Sequence, residues 1–436
     1  MMIDTMIELL KKNKKISGWK INENKTESSE LFFIKKSLDM KRSKTVNHTM
    51  LTVYVDFEEN GNKYRGSSFT EIHPTMAEDE IEKAIDRLTF AASLVKNKPY
   101  PLCSPMNINS KQNASIFEGK SLDEWAPKIV KAFYEPDIYE KGNINSAELF
   151  LNKTNTHIIN SEGVNVSYSH FAGNIEFITD WKENGEEIEL YRDFKFTDFK
   201  PEIIKDEVKA MLMKCRDRAS AKPTPALKNI PVLFTGTPVK EILSYYYAQA
   251  SASAVYNKIS TLKLGENVQG KEIKGDAISL FLDPALCNSV SSVPYDSDGF
   301  PLSKVQLYKE GILNNYWGNV RFSHYLNIPV TGNIENTIIS GGSKSIKELK
   351  TGSYLELLAF SDFQMDSLTG NFGGEIRLGY YNDGEKIIPV TGGSVSGNIK
   401  NVQNSMYLSK ELQHDNNFEG PKTILLNNVS IAGCSK

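Results

Sequence analysis

The chain contains few of the residues that build metal clusters and disulfide frameworks. Its 436 residues include only four cysteines and six histidines. Neighbouring cysteines are at least 72 residues apart, so there is no Cys-x-x-Cys pair and no spacing typical of a small secreted domain. We expect the thiols to be buried or chemically idle; they belong to Cys103, Cys215, Cys287 and Cys434.

Long apolar runs and an excess of one charge are also missing. No stretch approaches the roughly 20 apolar residues of a membrane-spanning helix. The segment Met1–Leu10 carries acidic residues where a secretion signal needs a basic start and an apolar run. Lys and Arg number 51 against 54 Asp and Glu, without the concentrated basic face of a nucleic-acid-binding protein. We therefore expect a cytoplasmic protein without direct nucleic-acid or membrane contact.

Common catalytic motifs are absent as well. The sequence has no G-x-S-x-G elbow and no phosphate-binding G-x-x-x-x-G-K-[ST] loop. No two histidines lie within five residues of each other, and none is followed by Glu. His157 and His170 flank strand-like segments and could approach each other, although surface or edge positions are favoured. His324 is expected to be partly buried in a helix, and Asp296 and Asp298 are expected to be turn residues before Gly299.

What the first half does contain is an internal repeat, at about 25–99 and 143–223. The Asn-Gly turns of the two units, Asn60-Gly61 and Asn184-Gly185, lie 124 residues apart, and so do their closing Lys-Pro pairs. In each unit, alternating apolar residues predict strands, and a 3.6-residue period then predicts a helix that covers one sheet face. The predicted helical stripes are Ile81, Ala84, Ile85, Leu88, Ala92 and Val95, and Ile204, Val208, Met211, Leu212, Cys215 and Ala219.

The second half is rich in strand and turn signals. A proline-rich break at 222–231 predicts two domains, 1–225 and 226–436, and the stretch at about 100–121 is typical of a linker. Two helices are predicted, at 238–257 and near 320–326. Hairpins are predicted at 309–312, 382–385 and 391–394. The fold class expected is α+β, with a repeated strands-plus-helix domain followed by a domain of mainly antiparallel sheet.

Several segments of the second half together resemble the TldD/PmbA family, once labelled modulators of DNA gyrase. Their order and spacing over some 200 residues carry the resemblance, which covers nearly the whole chain together with the repeat. The segments are Asp296-Ser-Asp-Gly-Phe-Pro, Tyr308-Lys-Glu-Gly-Ile-Leu-Asn-Asn-Tyr, Thr331-Gly-Asn, Leu368-Thr-Gly-Asn-Phe, Gly374-Glu-Ile-Arg-Leu-Gly-Tyr, Pro389-Val, Gly397-Asn-Ile and Leu425-Leu-Asn-Asn-Val-Ser-Ile-Ala-Gly.

The resemblance implies a dimeric, two-domain α+β protein related to metalloproteases. TldD-type members carry His-Glu-x-x-x-His on the helix that corresponds to 238–257, with a later cysteine completing the zinc site. PmbA-type members lack the motif and partner a TldD-type subunit, and the pair is associated with proteolysis of unstructured peptides. In this chain Leu243, Ser244 and Ala248 fall near the motif positions, and Glu241 is the only acidic residue in 236–257. Zinc hydrolysis needs three protein ligands and an open position for water.

We therefore expect a PmbA-like member without a metal or other cofactor. It would form a homodimer or pair with a TldD-type subunit, and it would support the proteolysis or binding of peptides. Tyr245, Tyr246 and Tyr247 could stack on a peptide, although core packing is favoured for them. Two alternatives stay open: an active peptidase that uses other residues, and a pure binding or assembly module that takes an extended peptide at a sheet edge.

Overall fold

The computed structural model describes residues 2–106, 115, 117–183 and 185–434. The described residues form an α+β protein with three β-sheets, which confirms the expected fold class. The helices are α1 Met2–Lys12, α2 Glu78–Ala92, α3 Leu122–Tyr134, α4 Pro201–Ala219, α5 Thr237–Gln249, α6 Ala252–Tyr256, α7 Val320–Leu326, α8 Ile346–Leu349 and α9 Ile399–Val402. The strands are β1 Gly18–Ile34, β2 Ser37–Glu59, β3 Asn62–Ile72, β4 Gly142–Asn160, β5 Asn165–Glu183, β6 Glu186–Phe196, β7 Lys222–Pro223, β8 Val232–Thr235, β9 Leu280–Leu282, β10 Val305–Lys309, β11 Ile312–Leu313, β12 Thr337–Ile339, β13 Tyr354–Met365, β14 Asn371–Asn382, β15 Ile387–Thr391, β16 Ser394–Asn398, β17 Tyr407–Leu408, β18 Leu412–Asp415, β19 Phe418–Pro421, β20 Thr423–Leu426 and β21 Ser430–Ala432.

The first half is one six-stranded antiparallel sheet built from two similar units. Its strand order is β3-β2-β1-β4-β5-β6, so the first strand of each unit pairs with the first strand of the other. β1 and β4 begin 124 residues apart, and so do β3 and β6. Each unit is longer than the sequence predicts, because a helix (α1 or α3) precedes its three strands.

Local sequence signals account for the hairpin turn and the two sheet-covering helices of these units. Asn60 and Gly61 adopt φ angles of 51° and 75°, which a tight hairpin between β2 and β3 requires. The predicted helical stripes face the sheet, with one exception: Val95 lies beyond the end of α2 and is exposed. Part of the predicted linker, 107–114 and 116, lies outside the described residues, and so does Asn184 of the second predicted turn.

The second half contains the other two sheets around one large apolar core. One has the order β11-β10-β9-β12-β19-β18, and the other runs β17-β20-β8-β13-β14-β15-β7, with β16 and β21 attached to it through β14. Helix α5 packs on β8, β13 and β19, so it lies between the two sheets. This position places one face of α5 in the core and leaves another beside β12 and β19.

Two predictions for the second half are wrong. The predicted helix at 238–257 is broken into α5 and α6, because the Trp317 backbone hydrogen-bonds between them, to the Ala250 carbonyl and the Ala252 amide. The predicted hairpin at 391–394 does not form, because β15 and β16 both pair with β14. Gly392 and Gly393, with φ of 76° and 74°, shift the chain along β14 instead of reversing it.

Polar contacts join the two halves. Arg192 of β6 donates to Glu207 of α4 at 2.5 Å and to Asp415 of β18 at 3.2 Å. Helix α4 also contacts β14 and β15 of the second half. None of the helices within the described ranges combines the length and apolar character that crossing a bilayer requires.

Candidate functional site

The candidate site is built around the first turns of α5, which follows β8 directly. Gly236 has a φ of 80°, and its amide donates to the Lys422 carbonyl, so the chain turns sharply out of the sheet. Pro238 then occupies the first turn of the helix, where its missing N–H leaves no intrahelical bond unmade. The core face of α5 is held by Val239, Ile242 and Tyr246, each fully buried. The helix is therefore a rigid support for the side chains on its other face.

The side chains of Leu243, Ser244 and Ala248, the predicted motif positions, do not fit a metal ion. Leu243 is buried and contributes only hydrocarbon. The exposed Ser244 donates its hydroxyl to the Glu241 carbonyl at 2.7 Å, and Ala248 ends in a methyl group. Zinc prefers thiolate, imidazole and carboxylate ligands, none of which these residues supply. Across the described ranges, no group of three or more His, Cys, Asp or Glu residues is arranged to hold a metal.

A groove of about 320 Å³ opens beside these positions, and we call it the α5 groove. Its lining combines apolar side chains with one basic and one acidic residue. Leu243, Ile339 and Phe418 are the aliphatic and phenyl side chains of the wall, and the two charged residues are Lys240 and Glu335. The lining residues are Lys240, Leu243, Ser244, Tyr247, Glu335, Thr337, Ile339, Asn417 and Phe418. The volume is at the lower end of the range for small-ligand pockets, enough for one or two peptide side chains.

Of the three consecutive tyrosines, only Tyr247 lines the groove. Tyr245 and Tyr246 are buried, and the Tyr246 hydroxyl donates to Gln403 Oε1 at 3.1 Å. Tyr247 stacks on Trp317, with ring centroids 4.3 Å apart and an interplanar angle of 15°. Trp317 in turn donates its indole N–H to the Tyr247 carbonyl at 2.7 Å. This pair holds the Tyr247 ring in one orientation at the groove wall.

Partial burial shifts the pKa values of ionisable side chains in and beside the groove. Burial and the Glu335 carboxylate both raise the pKa of Tyr247 above its ordinary range, so its hydroxyl is neutral at pH 7. Burial also raises the pKa of Glu241, which lies one turn before Tyr245 on the same helix. Glu335 accepts a hydrogen bond from the Ser291 hydroxyl at 2.8 Å, which anchors the acidic side of the groove. The lining of the groove therefore combines apolar side chains with one basic and one acidic group.

The structure does not bring His157 and His170 together, and His324, expected to be partly buried, is exposed on α7. His170 pairs in register with Thr154, three residues from His157 along β4, so the two rings lie on opposite faces of the sheet. His157 contacts the Asn165 side-chain oxygen at 2.8 Å. Burial lowers the pKa of His170, which keeps that ring neutral at pH 7.

The aspartates expected in a turn do lie in one. Asp296 Oδ1 accepts from the amides of Asp298 and Phe300 at 2.9 and 3.0 Å. Burial and the neighbouring Asp298 raise the pKa of Asp296 to about 6. Of the cysteines, Cys103 and Cys215 are buried, Cys434 is half-buried and Cys287 is exposed. Cys287 is therefore not buried, and for this residue the expectation of an idle thiol stays a prediction.

Sequence reasoning missed most of the groove wall. Glu335, Thr337, Asn417 and Phe418 come from β12, β19 and the residues beside them, far from α5 in sequence. A short β-run such as Thr337–Ile339 carries no local signal that it faces a helix about 95 residues earlier. The one available signal was the apolar face of α5, which predicts that the helix is buried but does not identify the strands that cover it.

Comparisons with known proteins agree on one family. Residues 227–433, which include the whole α5 groove, match the model of the PmbA/TldA metallopeptidase C-terminal domain. The chain is 22% identical to the metalloprotease PmbA of Escherichia coli O157:H7 over 63% of its own length and 61% of that protein's. It is also 22% identical to a metalloprotease PmbA homolog of Haemophilus influenzae, over 47% of its own length and 46% of that protein's.

These matches span about half to three fifths of the curated relatives. The fold similarity is more extensive: the crystal structure of TldE from Thermococcus kodakarensis superposes with a TM-score of 0.78, covering 99% of this chain and 100% of that one at 16% identity.

Proposed function

We propose, since this chain is a member of the PmbA/TldD family, that it acts as a non-catalytic, metal-free member that holds unfolded polypeptide in the α5 groove. The observation that carries the proposal is the groove itself, which lies beside Leu243 and Ser244, near the family's motif positions. Hydrocarbon and a hydroxyl replace the imidazole and carboxylate groups there, so the groove retains a shape for binding without a centre for hydrolysis.

The lining suggests which segments would bind. Leu243, Ile339 and Phe418 in the groove wall suit one apolar or aromatic side chain, since burial of such a side chain contributes about 1.5–3 kcal/mol. Lys240 and Glu335 would favour an acidic and a basic residue near it in the peptide. Strand addition is not available inside the groove, because β12 already pairs with both β9 and β19.

Peptide binding by variants of α5 tests the groove. We expect a labelled, unstructured peptide with Phe between charged residues to bind, and the same peptide with Gly in place of Phe to bind more weakly. Ser244→Trp should fill the groove and abolish binding. Thr237→Trp is the matched control, since Thr237 is exposed on the same helix but does not line the groove. If fluorescence anisotropy shows equal peptide binding by the two variants, the α5 groove is excluded as the binding site.

Metal analysis tests the non-catalytic part of the proposal. We expect the purified chain to contain no stoichiometric zinc and to cleave no peptide, with or without a chelator. One tightly held zinc per chain, together with peptide cleavage that a chelator stops, would overturn it.

For its assembly, we propose a dimer, either with a TldD-type subunit or with a second copy, acting in the cytoplasm. Co-purification with the TldD-type protein of the same cell separates the two forms. If the heterodimer is the functional form, the TldD-type subunit should not cleave the peptide alone, and adding this chain should restore cleavage. A mass of one chain in light scattering, with and without the TldD-type protein, would rule out both dimers.

A further inference from the structure

A second cavity, of about 150 Å³, lies between the two halves of the molecule and shares no lining residue with the α5 groove. Lys20 and Tyr54 line it from the first sheet, and Asp298 and Arg321 line it from the second half. The loop between the two units of the first half contributes Tyr100 to Cys103 to the wall. We call it the interdomain cavity. It is polar, and its walls belong to elements that only the folded arrangement of both halves brings together.

Two basic residues and one acidic residue line the cavity. Lys20 Nζ and Asp298 Oδ1 form an ion pair at 2.6 Å, which accounts for one cation and the one acidic group in the wall. Arg321 has no carboxylate partner among the described residues. Its Nη2 donates to the neutral Asn97 Oδ1 at 2.7 Å. Its Nε is shielded from solvent and finds no acceptor among the described residues.

Aromatic contacts hold the Arg321 guanidinium without satisfying that donor. The guanidinium carbon lies 5.3, 5.1 and 5.6 Å from the ring centres of Tyr100, Phe322 and Tyr325. The Tyr325 hydroxyl itself donates to the Lys98 carbonyl at 2.6 Å. Such ring contacts orient the guanidinium and attract its charge. None of them supplies the anionic oxygen that a partly buried guanidinium binds most strongly.

Two further residues of the cavity wall, Tyr54 and Cys103, are uncharged at pH 7, which favours non-covalent binding of a ligand. Tyr54 is buried, and its hydroxyl has no hydrogen-bond partner among the described residues. Burial and Asp298 raise the pKa of Tyr54 above its ordinary range, so the hydroxyl is a neutral donor at pH 7. Burial raises the pKa of the Cys103 thiol to about 12, so this cysteine is neither an anion nor a nucleophile there.

We propose that the interdomain cavity binds a small oxyanion, a carboxylate or a phosphate, with Arg321 as its charged partner and Tyr54 and Lys20 as further donors. The cavity volume corresponds to about five waters at liquid density, so the bound group has only a few heavy atoms. Because the donors come from both halves, an anion bound there would tie the halves together and stabilise their arrangement.

Calorimetric titration of the purified full chain tests the proposal. The probes are inorganic phosphate and acetate, each added at constant ionic strength against chloride. We expect saturable binding of at least one of them with a dissociation constant at or below about 1 mM. Arg321→Gln should weaken that binding by about ten-fold or more, since it removes a charged hydrogen-bond donor. Tyr54→Phe should weaken it by a smaller factor.

Two controls distinguish loss of the binding site from a change in overall charge and from a failure to fold. Arg216→Gln removes an exposed arginine that pairs with Asp217 on α4, and it should leave the affinity unchanged. Circular dichroism identifies variants that fold, and if Arg321→Gln does not, Tyr54→Phe and Arg321→Lys decide the outcome. The proposal is overturned if neither probe binds saturably, or if binding is the same in every folded variant of the cavity.

Discussion

A buried hydrogen bond beneath α5 gives a quantitative test of the packing. Tyr246→Phe removes the hydroxyl that donates to Gln403 Oε1 at 3.1 Å, with Tyr246 fully buried and Gln403 nearly so. The other groups of Gln403 are engaged: its Nε2 donates to the Val268 carbonyl at 2.8 Å, and its carbonyl accepts from Gln269 at 2.9 Å. Within this network, no other donor can therefore replace the Tyr246 hydroxyl at Gln403 Oε1. We expect the free energy of unfolding to fall by about 1–3 kcal/mol, the cost of leaving a buried acceptor unsatisfied.

Urea unfolding and thermal melts of the variant measure this loss. For a unit of about 200 residues, each kcal/mol corresponds to a fall in Tm of about 2–4 °C. Tyr245→Phe is the matched control, because Tyr245 is also buried but its hydroxyl bonds to no described residue. We expect that variant to remain within about 0.5 kcal/mol of the parent. Equal stability losses in the two variants would refute the assigned role of the Gln403 network.

Three further predictions concern other parts of the fold. Gly66→Ala should destabilise the first unit by about 2 kcal/mol or more in urea unfolding, because the new Cβ would lie 1.7 Å from the Ala92 carbonyl oxygen. Asp415→Ala should cost about 1–3 kcal/mol in the same assay, because it removes the second-half partner of Arg192. Asp296 has a pKa of about 6 in the folded protein, above its unfolded value, so its protonation stabilises the folded state below about pH 4 and that contribution is lost as the pH rises through 6. The stability of the parent relative to Asp296→Asn should therefore fall between pH 4 and 7, by up to about 1.4 kcal/mol per unit of pKa shift, and a pH series of urea melts checks this.

The first half was largely predictable because its signals are local. The Asn60-Gly61 turn and the 3.6-residue stripes of α2 and α4 each depend on neighbours in sequence. Helix α3 was missed although its Ser121 and Glu124 form a capping box, because a proline-rich stretch precedes it and Pro127 lies within it. The division into domains 1–225 and 226–436 stays a prediction.

Tertiary contacts decide what the sequence could not predict in the second half. The alanine-rich run after α5 favours one continuous helix, yet backbone hydrogen bonds to Trp317 stabilise a break there. The α5 groove depends on pairing between strands that are far apart in sequence, and a single sequence contains no record of such pairs.

The pairing of β1 with β4 bears on the origin of the first half. Ser28 and Asn152, which occupy corresponding positions of the two units, face each other across the strands and hydrogen-bond at 2.6 Å. The register continues unbroken on both sides, from Lys20 opposite Asn160 to Ile34 opposite Ser146, so a local dyad passes through the Ser28–Asn152 pair. Duplication and fusion of a symmetric homodimer would produce this geometry. Each unit alone would carry a self-complementary edge, and we expect either one, expressed separately, to dimerise through it.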